Sequence, residues 1–132
     1  MRKVILLALM LISMTFFSYA QQSLTVAITQ PQPDAKVEQR ATVSGSVSDP
    51  RAKVWVVIHP TETSGFWVQP PVTVDSDGTW SVLAYFGEGS RDSGKPYEIR
   101  AFANPSETLK PGERSDWPTA SAQSKVVRVT RK

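Results

Sequence analysis

Val72-Thr-Val-Asp-Ser-Asp-Gly-Thr-Trp-Ser-Val82 is the stretch that decides the fold class of this chain. Val72 to Val74 reads as a short strand, and Asp77-Gly78 supplies the backbone angles of a tight reversal. From Thr79 to Phe86 the alternation resumes with Trp80, Val82, Ala84 and Phe86 on one face. The segment therefore predicts a β-hairpin with Trp80 in a sheet-packed core. Asp75 and Asp77 also open like a calcium loop, but the position where such a loop needs its bidentate Glu is Phe86. The turn reading is preferred, and no metal site is predicted.

Working outward, other segments alternate in the same way. Leu24 to Thr29 comes first and is ended by Pro31 and Pro33. Ala41 to Ser48 has the cleanest period of two. Lys53 to His59 carries Val54, Val56 and Ile58 on one face and Trp55, Val57 and His59 on the other, so both faces need cover. The valine-isoleucine face is expected inside, with Trp55 packing beside Trp67 on the opposite side of the sheet. Phe66 to Gln69 and Val72 to Val74 are expected to form one strand bent at Pro70-Pro71, because two adjacent prolines remove two ladder donors. Tyr97 to Ala103 and Lys125 to Thr130 complete the set. The connections Gly87 to Pro96 and Asn104 to Ser124 are long for a compact domain, and no amphipathic helix interrupts the strands. The prediction is an all-β, seven-strand antiparallel β-sandwich.

At the N-terminus, Met1-Arg2-Lys3, the apolar run Val4 to Phe17 and Ser18-Tyr19-Ala20 have the basic, apolar and small-residue regions of a signal peptide. Residues 1–20 are read as that leader. An uncleaved anchor is the other reading, but the run is shorter than a membrane span and ends in a processing site, so no stable span is expected after cleavage. No Cys follows the apolar run, which excludes a lipid-modified lipoprotein. Residues 21–132 then form a single domain. With no Cys in the chain, an exported domain of this size depends on packing and sheet hydrogen bonds, which favours the bacterial envelope or exterior. The formal charge of +3 includes Arg2 and Lys3, and no basic stripe of the kind that binds nucleic acid is present.

Thr42-Val43-Ser44-Gly45, Asp77-Gly78-Thr79-Trp80-Ser81, Gly94-Lys95-Pro96-Tyr97-Glu98-Ile99-Arg100-Ala101 and Ser124 to Thr130, in that order, resemble bacterial immunoglobulin-like domains of exported and surface proteins. The resemblance spans about residues 24–130. It implies a seven-strand antiparallel immunoglobulin-like β-sandwich. It also places Tyr97 where such domains use a tyrosine whose hydroxyl bonds back to nearby backbone; a plain core tyrosine is the alternative.

The residues offer little for catalysis. His59 is the only histidine, no Gly-x-Ser-x-Gly or phosphate loop occurs, and His59-Pro60 reads as a structural strand end. No catalytic residue and no cofactor is predicted; paired-carboxylate hydrolysis remains open, because the separation of two acids is not visible in sequence. Aromatic residues are the better candidates, since alternation puts Phe66 and Trp67, and Tyr85 and Phe86, on opposite faces. Trp55, Phe66, Trp67 and Trp117 are the predicted binding residues. Trp117-Pro118 also reads as the anchor of a loop folding back. Arg128, Arg131 and Lys132 read as a solvated strand end, with anion binding as the alternative. The expected function is a secreted, non-enzymatic binding or structural module, periplasmic or extracellular, engaging an envelope or extracellular protein. Glycan binding through surface aromatics is the other reading.

Overall fold

The computed structural model describes residues 23–132. The leader assigned to residues 1–20 lies outside the described residues.

Strands β1 (Val26–Gln30), β2 (Lys36–Val37), β3 (Arg40–Val47), β4 (Val54–Pro60), β5 (Phe66–Val68), β6 (Thr73–Val74) and β7 (Thr79–Tyr85) are followed by a single 3-10 turn, Ser90–Asp92. Then come β8 (Pro96–Pro105), β9 (Gly112–Arg114), β10 (Ala120–Gln123) and β11 (Val127–Arg131). They form two sheets in a sandwich-like arrangement. One has the order β1-β3-β7-β6; the other has the order β2-β11-β8-β4-β5-β9, with β10 also paired to β8. Among the described residues no helix is long and apolar enough to cross a membrane.

The hairpin forms as predicted, with Thr73 opposite Ser81 and Val74 opposite Trp80. Gly78 takes φ 85, and the Asp77 carboxylate accepts the Thr79 N–H at 3.0 Å and the Thr79 hydroxyl at 2.7 Å. Asp77 thus closes the turn with its own side chain. Trp80 is 2 % exposed and sits in the core with Val43, Val56, Ile58, Val82, Phe86 and Ile99.

Three expectations are corrected. The second sheet is mixed, because β2 runs parallel to β11, pairing Lys36 with Thr130 and Val37 with Arg131. The chain leaves the first sheet after β1, where Pro31 and Pro33 offer no ladder donors, and re-enters in the second. Phe66 to Val74 is not one bent strand either: β5 belongs to the second sheet and β6 to the first, so Pro70-Pro71 marks a crossing between sheets. Finally, the Asn104–Ser124 connection contains two strands, β9 and β10, and one edge of β8 is shared. β11 covers its Pro96–Ile99 half and β10 its Phe102–Pro105 half. Between them Ser124 is buried; its N–H donates to the Ala101 carbonyl at 2.8 Å and its hydroxyl accepts the Ala101 N–H at 2.9 Å.

Both faces of β4 are covered, for different reasons. Val54, Val56 and Ile58 enter the main core. On the outer face Val57, Val68, Phe102 and Leu109 form a second buried cluster, with Trp55, Phe66, Trp117 and Ala120 packed against it. The cover is the Asn104–Ser124 connection, which folds back over the sheet. It is closed on itself by Ser106, whose hydroxyl donates to the Thr119 carbonyl at 3.1 Å, and by Arg114, which bridges Glu107 at 2.7 Å and Asp116 at 3.3 Å.

Candidate functional site

The cross-strand register decides what each predicted aromatic does. Val57 lies opposite Val68 and Ile58 opposite Trp67, so neighbours on β5 face opposite ways. Phe66 and Val68 join the outer cluster. There Phe66 stacks on His59 with ring centroids 4.0 Å apart and meets Trp117 edge-on at 4.8 Å. Trp55 pairs with Phe102 on the same outer face. Trp55 therefore does not pack beside Trp67, contrary to expectation. Three of the four predicted residues, Trp55, Phe66 and Trp117, come together as a partly buried cluster, with Trp117 anchoring the folded-back loop. Trp67 alone turns to the inner side.

That side is open at β5. The second sheet extends through β5 and β9, whereas the first ends at the two-residue β6, and Trp67 is left 43 % exposed. It borders a cleft of about 750 Å³. Ile58 and Tyr97 contribute apolar surface from β4 and β8; Pro70, Tyr85, the Glu62–Gly65 turn, the Gly87–Lys95 loop and Pro111–Glu113 contribute further lining. Tyr85, 47 % exposed, is the second accessible aromatic. The buried Gln69 holds the two in relation to each other. Its amide donates to the Trp67 carbonyl at 3.1 Å and accepts the Tyr85 N–H at 2.8 Å, linking the two sheets where the prolines carry the chain across. Sequence reasoning noted Tyr85 as an aromatic without assigning it to a site. Gln69 and Glu113 gave no sequence signal, because one sits before a proline pair and the other in a three-residue strand.

The opposite wall is an ordered loop. The Asp92 carboxylate is buried and accepts the Glu88 N–H at 2.6 Å, Lys95 Nζ at 2.9 Å and Arg91 at 3.4 Å. These bonds, the Glu88 backbone first and then Lys95 and Arg91, hold its pKa well below the ordinary 3.8. Arg131 is not a solvated strand end. It is 7 % exposed, and its guanidinium donates to the Phe86 carbonyl at 2.8 Å and to the Gly89 carbonyl. The loop is thereby fastened to β11. Tyr97 is a core side chain, edge-on to Phe86 with centroids 5.7 Å apart. A hydrogen bond from its hydroxyl to backbone is not found among the described residues. Burial, with the Asp92 charge beside it, raises its pKa.

A pH dependence follows from Asp92. A carboxylate whose folded pKa is depressed stabilises the fold above the unfolded value and loses that contribution as pH falls through the folded one. Asp92→Asn is expected to loosen the Gly87–Pro96 loop at neutral pH. The difference between wild type and variant in melting temperature should be full above about pH 5 and shrink progressively as pH falls below about 4. Hydrogen exchange of the loop amides against pH checks this; a constant difference from pH 7 to 2 would reject it.

His59 makes structural contacts, with Nδ1 2.8 Å from the Gly65 carbonyl and its ring on Phe66. Among the described residues no group of three His, Cys, Asp or Glu side chains is arranged to hold a metal ion. The cleft thus combines apolar walls, the accessible ring of Trp67 and charged rims, an arrangement suited to non-covalent recognition. No protein-family model matches the chain, and no curated protein matches it either.

Proposed function

We propose that this chain is an exported, non-enzymatic binding module of immunoglobulin-like type that engages a protein of the bacterial envelope or exterior. The topology supports the immunoglobulin-like assignment, since a β1-β3-β7-β6 sheet faces a β11-β8-β4-β5 core and the first two strands are shared between the sheets. The non-enzymatic reading rests on the commitment of His59 to packing and of Asp92 to loop closure. The carrying observation is the cleft at the sheet edge, bordered by the accessible ring of Trp67 and lined in part by Tyr85. Exposed aromatic rings held by a rigid sheet bury much area on binding at low entropic cost. The exposed Trp67 ring is also suited to glycan stacking, the second reading.

Replacing Tyr85 with a photo-crosslinking p-benzoylphenylalanine in the cells that make the protein tests the proposal. The expected result is an adduct with one exported protein, lost in a Trp67→Ala background whose melting temperature is unchanged. Crosslinks that survive Trp67→Ala would reject the cleft. A glycan array positive for wild type and negative for Trp67→Ala would transfer the site to the second reading.

A further inference from the structure

Within that binding reading, charge narrows the ligand. The cleft is bordered by four carboxylates, Glu62, Glu88, Asp92 and Glu113, and by two cations, Arg91 and Lys95. The cations are occupied on their own wall, Lys95 with Asp92 at 2.9 Å and Arg91 with Glu88 at 3.6 Å and Asp92 at 3.4 Å. Neither Glu62 nor Glu113 has an ion-pair partner within 4.0 Å among the described residues.

Glu113 is also placed against the aromatic ring. It stands directly opposite Trp67 in the β5–β9 ladder, so both side chains leave the sheet on the same face. Gly65 lets them converge. A β-carbon there would lie 2.8 Å from Glu113 Oε1 and 3.2 Å from Trp67 Nε1. The two atoms are therefore within about 6 Å of each other, close enough to contact a single cation together.

We propose that the cleft receives a lysine or arginine side chain from an extended segment of a partner protein, with the cation on the Trp67 ring and its charge met by Glu113 and Glu62. A ring face attracts a cation through its quadrupole, and a carboxylate beside it adds a charge-assisted hydrogen bond. The surplus of negative charge repels acidic ligands and gives a neutral sugar no equivalent gain. β9 is the outermost strand of its sheet. Its free backbone edge gives an extended segment a line along which to pair.

The test uses ¹⁵N-labelled protein and three peptides: acetyl-Gly-Lys-Gly-amide, its arginine counterpart and a glutamine control. Chitotriose is a sugar arm. The Trp67 indole N–H resonance is expected to shift with the two basic peptides at millimolar affinity and not with glutamine. Glu62→Gln with Glu113→Gln should weaken binding about tenfold and remove most of its salt dependence. Equal response to the glutamine peptide, or no shift by about 20 mM peptide, overturns the proposal. So does chitotriose binding unaffected by the double substitution. The two readings fail separately. If the photo-crosslinked partner depends on Trp67 but not on Glu62 and Glu113, the binding cleft stands and the basic-side-chain specificity falls.

Discussion

Trp80→Ala is expected to lower the free energy of unfolding by about 3–5 kcal/mol, because it removes the largest fully buried side chain from the centre of the sandwich. The indole is opposite both Gly45 on β3 and Val74 on β6, so its loss empties space shared by three strands of one sheet. A second substitution retains part of the packing. Trp80 Nε1 is buried without a hydrogen-bond partner among the described residues. An unpaired buried donor costs about 1–3 kcal/mol, so Trp80→Phe removes a penalty along with part of the packing. We expect Trp80→Phe to cost less than half of Trp80→Ala. Urea denaturation of both variants checks the pair. Equal losses would mean that a phenyl ring recovers none of the packing, and an unchanged midpoint for Trp80→Ala would remove Trp80 from the core.

Gly45→Ala is expected to cost about 3 kcal/mol, at the upper end of what a single added methyl does to a packed site. The glycine is required by proximity. A β-carbon at Gly45 would overlap the Ala27 carbonyl oxygen and lie 2.5 Å from Trp80 Cζ2. The carbonyl belongs to backbone held by the β1–β3 ladder, where Ala27 pairs with Ser46 and Ile28 with Gly45, so a side-chain rotation cannot relieve the overlap. The indole can be removed, which makes the pair suitable for a double-mutant cycle. Gly45→Ala in a Trp80→Ala background should cost less than in wild type, yet still more than 1 kcal/mol, roughly the part owed to the Ala27 carbonyl. A melting temperature for Gly45→Ala equal to that of wild type would contradict the close approach of β1, β3 and the Trp80 ring.

Legibility in the sequence differed sharply between residues. Trp80, Val82 and Ala84 alternate for long enough that their inward face could be read directly, and Val54, Val56 and Ile58 likewise. β2, β9 and β10 are two to four residues long, too short for periodicity to register, and each forms because a neighbouring strand offers an unfilled edge. Arg131 sits next to the chain end and reads as solvated. Its burial depends on carbonyls at Phe86 and Gly89, more than forty residues away. For the aromatics, local alternation placed Phe66 and Trp67 on opposite faces without saying which face was which. The pairing of β5 with β4 decided that Phe66 would join the covered cluster and Trp67 the cleft.

Sequence by itself determined the all-β character, the Asp77-Gly78 hairpin, the inward faces of β4 and β7 and the need to cover both sides of β4. These follow from a two-residue side-chain period and from turn angles, which act over a few neighbours. Tertiary structure decided the mixed second sheet, the crossing at Pro70-Pro71, the clustering of Trp55, Phe66 and Trp117, and the opening beside Trp67. These depend on which strand edges meet and in what register. Closing a chain over tens of residues is decided by the whole set of pairings competing for the same surfaces, so no local stretch encodes it.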